Sequence, residues 1–318
     1  MKRFLSALLC AILLLGLLPA VSPPAQMITS AVCSVNRTSA YIGDRITFEC
    51  SDILPEAHGN LWCGWTVKNG GGTEYDDLPM TFLYYTRFNY YPKAAGTYTG
   101  SILINESGAN TITVNSEPIS VKLRPATKIT KVEAIGATSL KLTWNKIPGA
   151  AGYEVWRSTS KTTGYKLVKT TTALSFTNTS LKAGTRYYYK IRSYNMIAEW
   201  VQHQVDTETW SKCPSSAFSI PAAGVPLAKS AILSAVGVSR SQIKLTWKKV
   251  TGATGYQILR SATAGGVYKS IKLTTALTYT AGGMLHAKTY YFKVRPYKAF
   301  GTIKYYGPLS GYRNGRTK

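Results

Sequence analysis

From residue 28 onward the apolar positions of the chain recur at every second residue over short stretches, the period of strands rather than of helices. Leu140, Leu142 and Trp144 alternate with Lys141 and Thr143, a Pro148-Gly149 turn follows, and Tyr153 and Val155 then alternate with Glu154 and Trp156. Tyr187, Tyr189, Ile191 and Ser193 share one face of a later strand, whose other face presents Tyr188, Lys190, Arg192 and Tyr194. The whole pattern is written twice. Residues 140–194 align without a gap to 243–297 at an offset of 103, which carries Trp144 onto Trp247, Tyr153 onto Tyr256, Arg157 onto Arg260 and Tyr187 onto Tyr290. A period that long, with its own strands and turns, is one small domain duplicated rather than a solenoid unit.

The preceding hundred residues alternate in the same way. Ile46, Phe48 and Cys50 share one strand face after the Gly43-Asp44 turn, and Leu61, Cys63, Trp65 and Val67 share one face of the next. The stretches TFLYYTRFNYY, AAGTYTGSILI and NTITVNSEPISV follow the loop NGGGTEYDDLP. Short strands punctuated by turn residues predict a two-sheet sandwich. Pro-containing linkers, KLRPATK and SIPAAGVPLAK, separate the parts. The expected organisation is all-β: three tandem β-sandwich domains at residues 28–123, 126–222 and 226–318.

Ahead of them, MKRFLSALLCAILLLGLLPA has a basic start, an apolar run from Phe4 to Leu18 and small residues after it. This predicts a secretory signal peptide over residues 1–25, hence a secreted product that does not span the membrane once the signal is removed. Cys10 leaves with the signal, and Cys33, Cys50, Cys63 and Cys213 remain in a compartment that permits disulfides.

Charge sharpens the partition. The formal net charge is +24, but residues 26–123 sum to −3, 124–222 to +9 and 223–318 to +16. The last segment has 16 Lys and Arg and no carboxylate. Such a domain is drawn to polyanions by long-range attraction and counterion release.

The first domain resembles immunoglobulin-like folds, with Cys50 on the second strand, Trp65 on the third and A-G-T-Y-T-G where that family has D-x-G-x-Y-x-C. Gly100 stands in the place of the family's second cysteine, so the usual disulfide cannot form. The body also looks like the PKD-like or immunoglobulin-like modules of exported bacterial proteins. Cys50 closes one strand as Cys63 opens the next, and a Cys50–Cys63 bond would staple the loop between them; Cys33–Cys50 and Cys33–Cys63 are the alternatives. The duplicated unit resembles fibronectin type III domains in its second-strand tryptophan, its G-A-x-G-Y segment and its leucine-to-tyrosine corner, Leu181 to Tyr187. In the second copy Met284 and Ala287 replace Leu181 and Gly184, which should loosen that corner.

Catalytic chemistry finds no constellation. His58, His203 and His286 fall in three different domains, with no nucleophile or paired acid at motif spacing, and no cofactor is implied. Glu74, Asp76 and Asp77 match no calcium-loop spacing. The candidate ligand-binding set is the outward face: Trp156, Tyr188, Lys190, Arg192 and Tyr194 in one copy, Tyr291, Lys293, Arg295 and Tyr297 in the other. Aromatics flanked by cations can stack on sugar rings while pairing with anions, and the same residues can merely stabilise a sheet. The expected function is non-enzymatic binding, adhesion or scaffolding at a bacterial cell surface. The basic domains would meet anionic cell-wall polymer or polysaccharide, and the first domain another surface or secreted protein. A carbohydrate-binding accessory to a separate hydrolase is the alternative, and no specific nucleic acid is expected.

Overall fold

The computed structural model describes residues 30–54, 61–70, 72–76, 80–81, 87–106, 111–199 and 209–318. The signal segment, His58, Asp77 and His203 lie outside them. Every regular element among the described residues is a strand, and no helix there is long and apolar enough to cross a membrane.

The first ten strands are β1 (Ser30–Val35), β2 (Ser39–Tyr41), β3 (Ile46–Leu54), β4 (Leu61–Asn69), β5 (Gly72–Asp76), β6 (Met80–Thr81), β7 (Arg87–Tyr90), β8 (Gly96–Glu106), β9 (Thr111–Asn115) and β10 (Ile119–Lys122). One sheet runs β1-β3-β7; in the other, β4 pairs with β5, β6 and β8, while β9 continues on β8. Phe48, Trp65, Val67, Tyr98 and Ile102 are buried. A Cβ placed on Gly100 would stand 2.4 Å from the Phe48 ring, which itself packs 6.1 Å from Trp65. An aromatic ring thus fills the room that a second cysteine would need. Cys33 and Cys50 are buried and directly opposite in the β1–β3 register; the side chain of Cys63 lies outside the described residues.

The duplicated unit folds as two sandwiches of one topology. In the second sandwich the strands are β11 (Ile129–Gly136), β12 (Ser139–Trp144), β13 (Gly152–Ser158), β14 (Lys166–Thr171), β15 (Ser175–Asn178), β16 (Tyr187–Glu199), β17 (Thr209–Pro214) and β18 (Ala222–Gly224). They form the sheets β11-β12-β15 and β14-β13-β16-β17, with β18 also on β16. The third sandwich repeats this with β19 (Ile232–Ser239), β20 (Gln242–Trp247), β21 (Gly255–Ser261), β22 (Lys269–Thr274), β23 (Thr278–Ala281), β24 (Thr289–Phe300), β25 (Ile303–Tyr306) and β26 (Arg313–Arg316). Its sheets are β19-β20-β23 and β22-β21-β24-β25, with β26 on β24.

The alternating positions make the cores. Leu140, Leu142, Val155, Tyr189 and Ile191 in one copy, and Ile243, Leu245, Ile258, Phe292 and Val294 in the other, are fully buried. Each such side chain contributes about 1.5–3 kcal/mol by leaving water. Trp144 meets Tyr153 and Trp247 meets Tyr256, both at 5.8 Å between ring centroids. The polar ends of the core tyrosines are satisfied alike: the Tyr153 and Tyr256 hydroxyls accept the N–H groups of Ile147 and Val250, each at 2.7 Å. The corner is not loosened in the third sandwich. The Tyr290 hydroxyl accepts Leu285 N–H at 3.1 Å as Tyr187 accepts Lys182 N–H at 3.1 Å, and Met284 fills the place of Leu181. Ala287 holds φ +54° where Gly184 has +72°, so the turn keeps its shape at a cost in backbone strain.

By compactness the chain forms two units: Thr47–Asn89 and Tyr98–Pro118 with the residues up to Thr38 make one, and Ser39–Ile46, Tyr90–Thr97 and Ile119–Lys318 the other. Within the second unit, Arg124 is buried and ion-pairs with Asp44, donates to Pro148 O at 2.7 Å, and lies 4.8 Å over the Tyr41 ring. Asn195 donates to Ile42 O, and the Cys213 thiol to Lys93 O. Cys213 is buried by this packing, so its sulfur is not presented for a bond between two chains. Between the second and third sandwiches, Gly184 N–H donates to Pro226 O at 3.0 Å, and a Cβ on either Gly184 or Gly252 would come within 2.7 Å of the other's backbone.

Candidate ligand-binding face

Most of the candidate residues lie on the outer face of the five-stranded sheet in each repeat. In the second sandwich the register sets Trp156 opposite Lys190 and Glu154 opposite Arg192. Glu154 joins them: its Oε2 accepts Arg192 Nε–H at 2.7 Å and Trp156 Nε1–H at 3.2 Å. The Arg192 guanidinium lies 5.4 Å from the Trp156 ring and 4.8 Å from that of Phe218, and these two rings meet edge to face at 5.7 Å. Lys190 Nζ lies 4.5 Å over Tyr165, whose hydroxyl donates to Lys161 O at 2.9 Å. Burial raises the Tyr165 phenol above its ordinary value, with Tyr188 adding to the effect.

The third sandwich repeats half of this and alters the rest. Lys293 Nζ lies 4.2 Å over Tyr268, whose hydroxyl donates to Ala264 O at 2.9 Å, so the Lys190–Tyr165 contact is duplicated atom for atom at the repeat offset. Arg295 lies 4.1 Å over Tyr306 and donates to Gln257 Oε1 at 2.6 Å. Gln257 is the counterpart of Glu154, which makes the neutralised arginine of one copy an uncompensated cation in the other. Leu259 replaces Trp156 and is buried.

Seven of the nine residues expected on this face stand there half-buried: Trp156, Tyr188, Lys190, Arg192, Tyr291, Lys293 and Arg295. Tyr194 and Tyr297 do not. They are 8% and 7% exposed, because each ring lies across the glycine directly opposite it, Gly152 or Gly255. A Cβ there would stand 2.5 or 2.6 Å from the tyrosine hydroxyl. A ring shielding a glycine in the neighbouring strand closes a gap in the sheet, so these two tyrosines are structural. Glu154, Gln257, Tyr165, Tyr268, Phe218 and Tyr306 belong to the face and were not anticipated. Strand parity from Trp156 points to Glu154, and the 103-residue offset relates Tyr165 to Tyr268, whereas Phe218 and Tyr306 arrive by tertiary folding alone.

Among the described residues no group of three His, Cys, Asp or Glu is placed to hold a metal ion. His286 Nδ1 is hydrogen-bonded to Lys318 O.

No family model matches the chain. Over 212 residues it is 29% identical to Exoglucanase B of Cellulomonas fimi, a match covering 62% of this chain and 17% of that protein. Over 162 residues it is 28% identical to a Kelch domain-containing protein of Saccharolobus solfataricus, covering 50% and 19%. The chain thus spans less than a fifth of these curated relatives. Among solved structures, the FN1–FN3 domains of chicken CNTN1 match 91% of this chain and all of theirs, at 15% identity and a TM-score of 0.29. The sheet order makes this an all-β chain of tandem β-sandwiches, the last two built on one topology with matching tyrosine corners.

Proposed function

We propose that the chain is a non-enzymatic, exported binding protein of a bacterial cell surface. In this reading residues 1–25 are a signal peptide, and three domains follow at 28–123, 126–222 and 226–318. The basic second and third domains hold anionic envelope polymer or polysaccharide, and the first is available to a protein partner. One observation carries the reading: the third sandwich has 16 cationic side chains and no carboxylate, and where its sister pairs Arg192 with Glu154 it pairs Arg295 with neutral Gln257. Either arrangement gives the arginine an acceptor, whereas only the second leaves its charge uncompensated.

The test is a salt titration of binding to isolated cell walls and to a soluble uronic-acid polymer. Counterion release makes the logarithm of affinity fall linearly with the logarithm of salt concentration. Affinity that ignores salt, or no binding at low salt, would overturn the proposal.

The similarity to an exoglucanase supports a second reading, a carbohydrate-binding accessory to a hydrolase, with Trp156 and Tyr188 stacking on neutral sugar. Binding to cellulose or dextran that survives about 1 M salt and disappears in Trp156→Ala would favour it.

A further inference from the structure

Most half-buried arginines of the two repeated sandwiches direct their N–H donors at an acceptor: Arg192 at Glu154, Arg295 at Gln257, Arg157 at Asn178 and Arg260 at the Gly282 carbonyl. Arg186 is different. It precedes β16 on the second sandwich, half-buried, with its guanidinium 4.3 Å from the centroid of Phe300 on the third and 5.2 Å from that of its own neighbour Tyr188. Among the described residues it has no hydrogen-bond or ion-pair partner. A ring contact uses the face of a guanidinium and leaves the donors at its edge free. Lys298 Nζ stands 5.9 Å from the same Phe300 ring, also without an acceptor or carboxylate among the described residues.

Two cations gathered on one ring, with no anion in contact among the described residues, is an arrangement that repels itself. The joint holds it in place. Gly184, two residues before Arg186, is pressed against Gly252 and bonded to Pro226 O, and Phe300 is fixed against Tyr305 at 6.0 Å and packed on the core of the third sandwich.

We propose that Arg186, Lys298 and Phe300 form an anion clamp at the joint between the second and third sandwiches, which takes a carboxylate or phosphate group of a polyhydroxylated acidic polymer. The fork of Arg186 receives the anion through two parallel N–H donors, Lys298 supplies the second charge, and Tyr188 and Phe300 fix the fork and offer ring surface to the adjoining sugar. The clamp rests on the reading of the basic domains as polyanion-binding and adds to it a place and a residue set that neither domain contains alone.

Polygalacturonate serves as the carboxylate probe and a polyglycerol phosphate as the phosphate probe, with dextran as the neutral control and duplex DNA as the competing polyanion. Arg186→Gln is expected to weaken binding to the preferred acidic probe about tenfold and to reduce the salt slope by about 1. Arg186→Lys, which keeps the charge without the fork, is expected to fall between wild type and Arg186→Gln. Lys269→Gln removes one exposed charge from another part of the third sandwich and is expected to change affinity less than about twofold, as a rim charge does. Urea unfolding of each variant separates loss of binding from loss of fold. If Arg186→Gln and Lys269→Gln weaken binding equally, the clamp is wrong while the polyanion reading stands. If the wild type binds neither acidic probe at low salt, the polyanion reading itself fails. Tighter binding of duplex DNA than of either acidic polymer would overturn the assignment to carbohydrate polymers.

Discussion

Arg124 and Asp44, 80 residues apart in sequence, form a buried ion pair whose guanidinium also bonds to Pro148 O and stacks on Tyr41. The pair ties the Ser39–Ile46 segment to the second sandwich, and its side chains are only 6% and 20% exposed. Removing one partner from such a pair leaves a buried charge uncompensated, which costs about 3–5 kcal/mol. Asp44→Asn is therefore expected to lower unfolding stability by about 3 kcal/mol in chemical denaturation. The double variant with Arg124→Met should recover part of the loss. A loss from Asp44→Asn below about 1 kcal/mol would put the pair in the range of solvent-screened contacts.

The Glu154 and Gln257 difference gives a reciprocal pair of exchanges. Glu154→Gln converts the second sandwich to the arrangement of the third and should increase retention on an anionic column at low salt. Gln257→Glu supplies Arg295 with a carboxylate and should decrease retention by a comparable amount. Equal retention of wild type and both variants would show that this face does not meet the polymer.

The Cys33 thiol is raised from 9.0 to about 11 by burial. The folded protein then holds that proton more tightly than the unfolded chain. Its contribution to stability is full below pH 9 and is lost as pH rises through 11. In the reduced protein the urea midpoint should fall between pH 8 and pH 10.5, and Cys33→Ala should flatten that part of the profile. Identical profiles for the two would locate the alkaline loss elsewhere.

Ala287 adopts φ +54°, a conformation in which a Cβ crowds the following carbonyl. Ala287→Gly should accordingly raise stability by up to about 1 kcal/mol, in spite of the added freedom of the unfolded chain. A decrease on thermal unfolding would mean that the methyl group makes a packing contact worth more than the strain.

The fold was legible because its determinants are local and duplicated. Alternation at Leu140, Leu142 and Trp144 and its echo at Ile243, Leu245 and Trp247 give strand, face and copy number together. Parity served less well on the outer face. It treats every second residue as equivalent, and so placed Tyr194 and Tyr297 with the ligand set, whereas the bare glycine opposite each draws the ring down onto the sheet. Comparison with the first copy, in which Gly184 stands at this position, read Ala287 as a loosened corner, although backbone strain at one residue preserves the hydrogen bond that defines it. The Arg124–Asp44 pair, and the meeting of Arg186 with Phe300, join residues from separate parts of the chain and leave no trace in any periodicity. In each case a residue's function depends on what tertiary folding sets against it.

Gly149 and Gly252 occupy the same turn of the two repeated sandwiches, and each lies against a different neighbour. Gly149 lies against the Arg124 guanidinium, and Gly252 against the backbone of Gly184. The turn is thus a keyway cut once and fitted with two keys, one a charged side chain from the preceding linker and the other a naked peptide. Exchanging the order of the two modules would bring Ala287, the counterpart of Gly184, against this turn, setting a methyl group where only a hydrogen atom fits. Near-identity of the two cores therefore does not make the modules interchangeable: their sequence is fixed at the joints, through residues that contribute little to either fold alone.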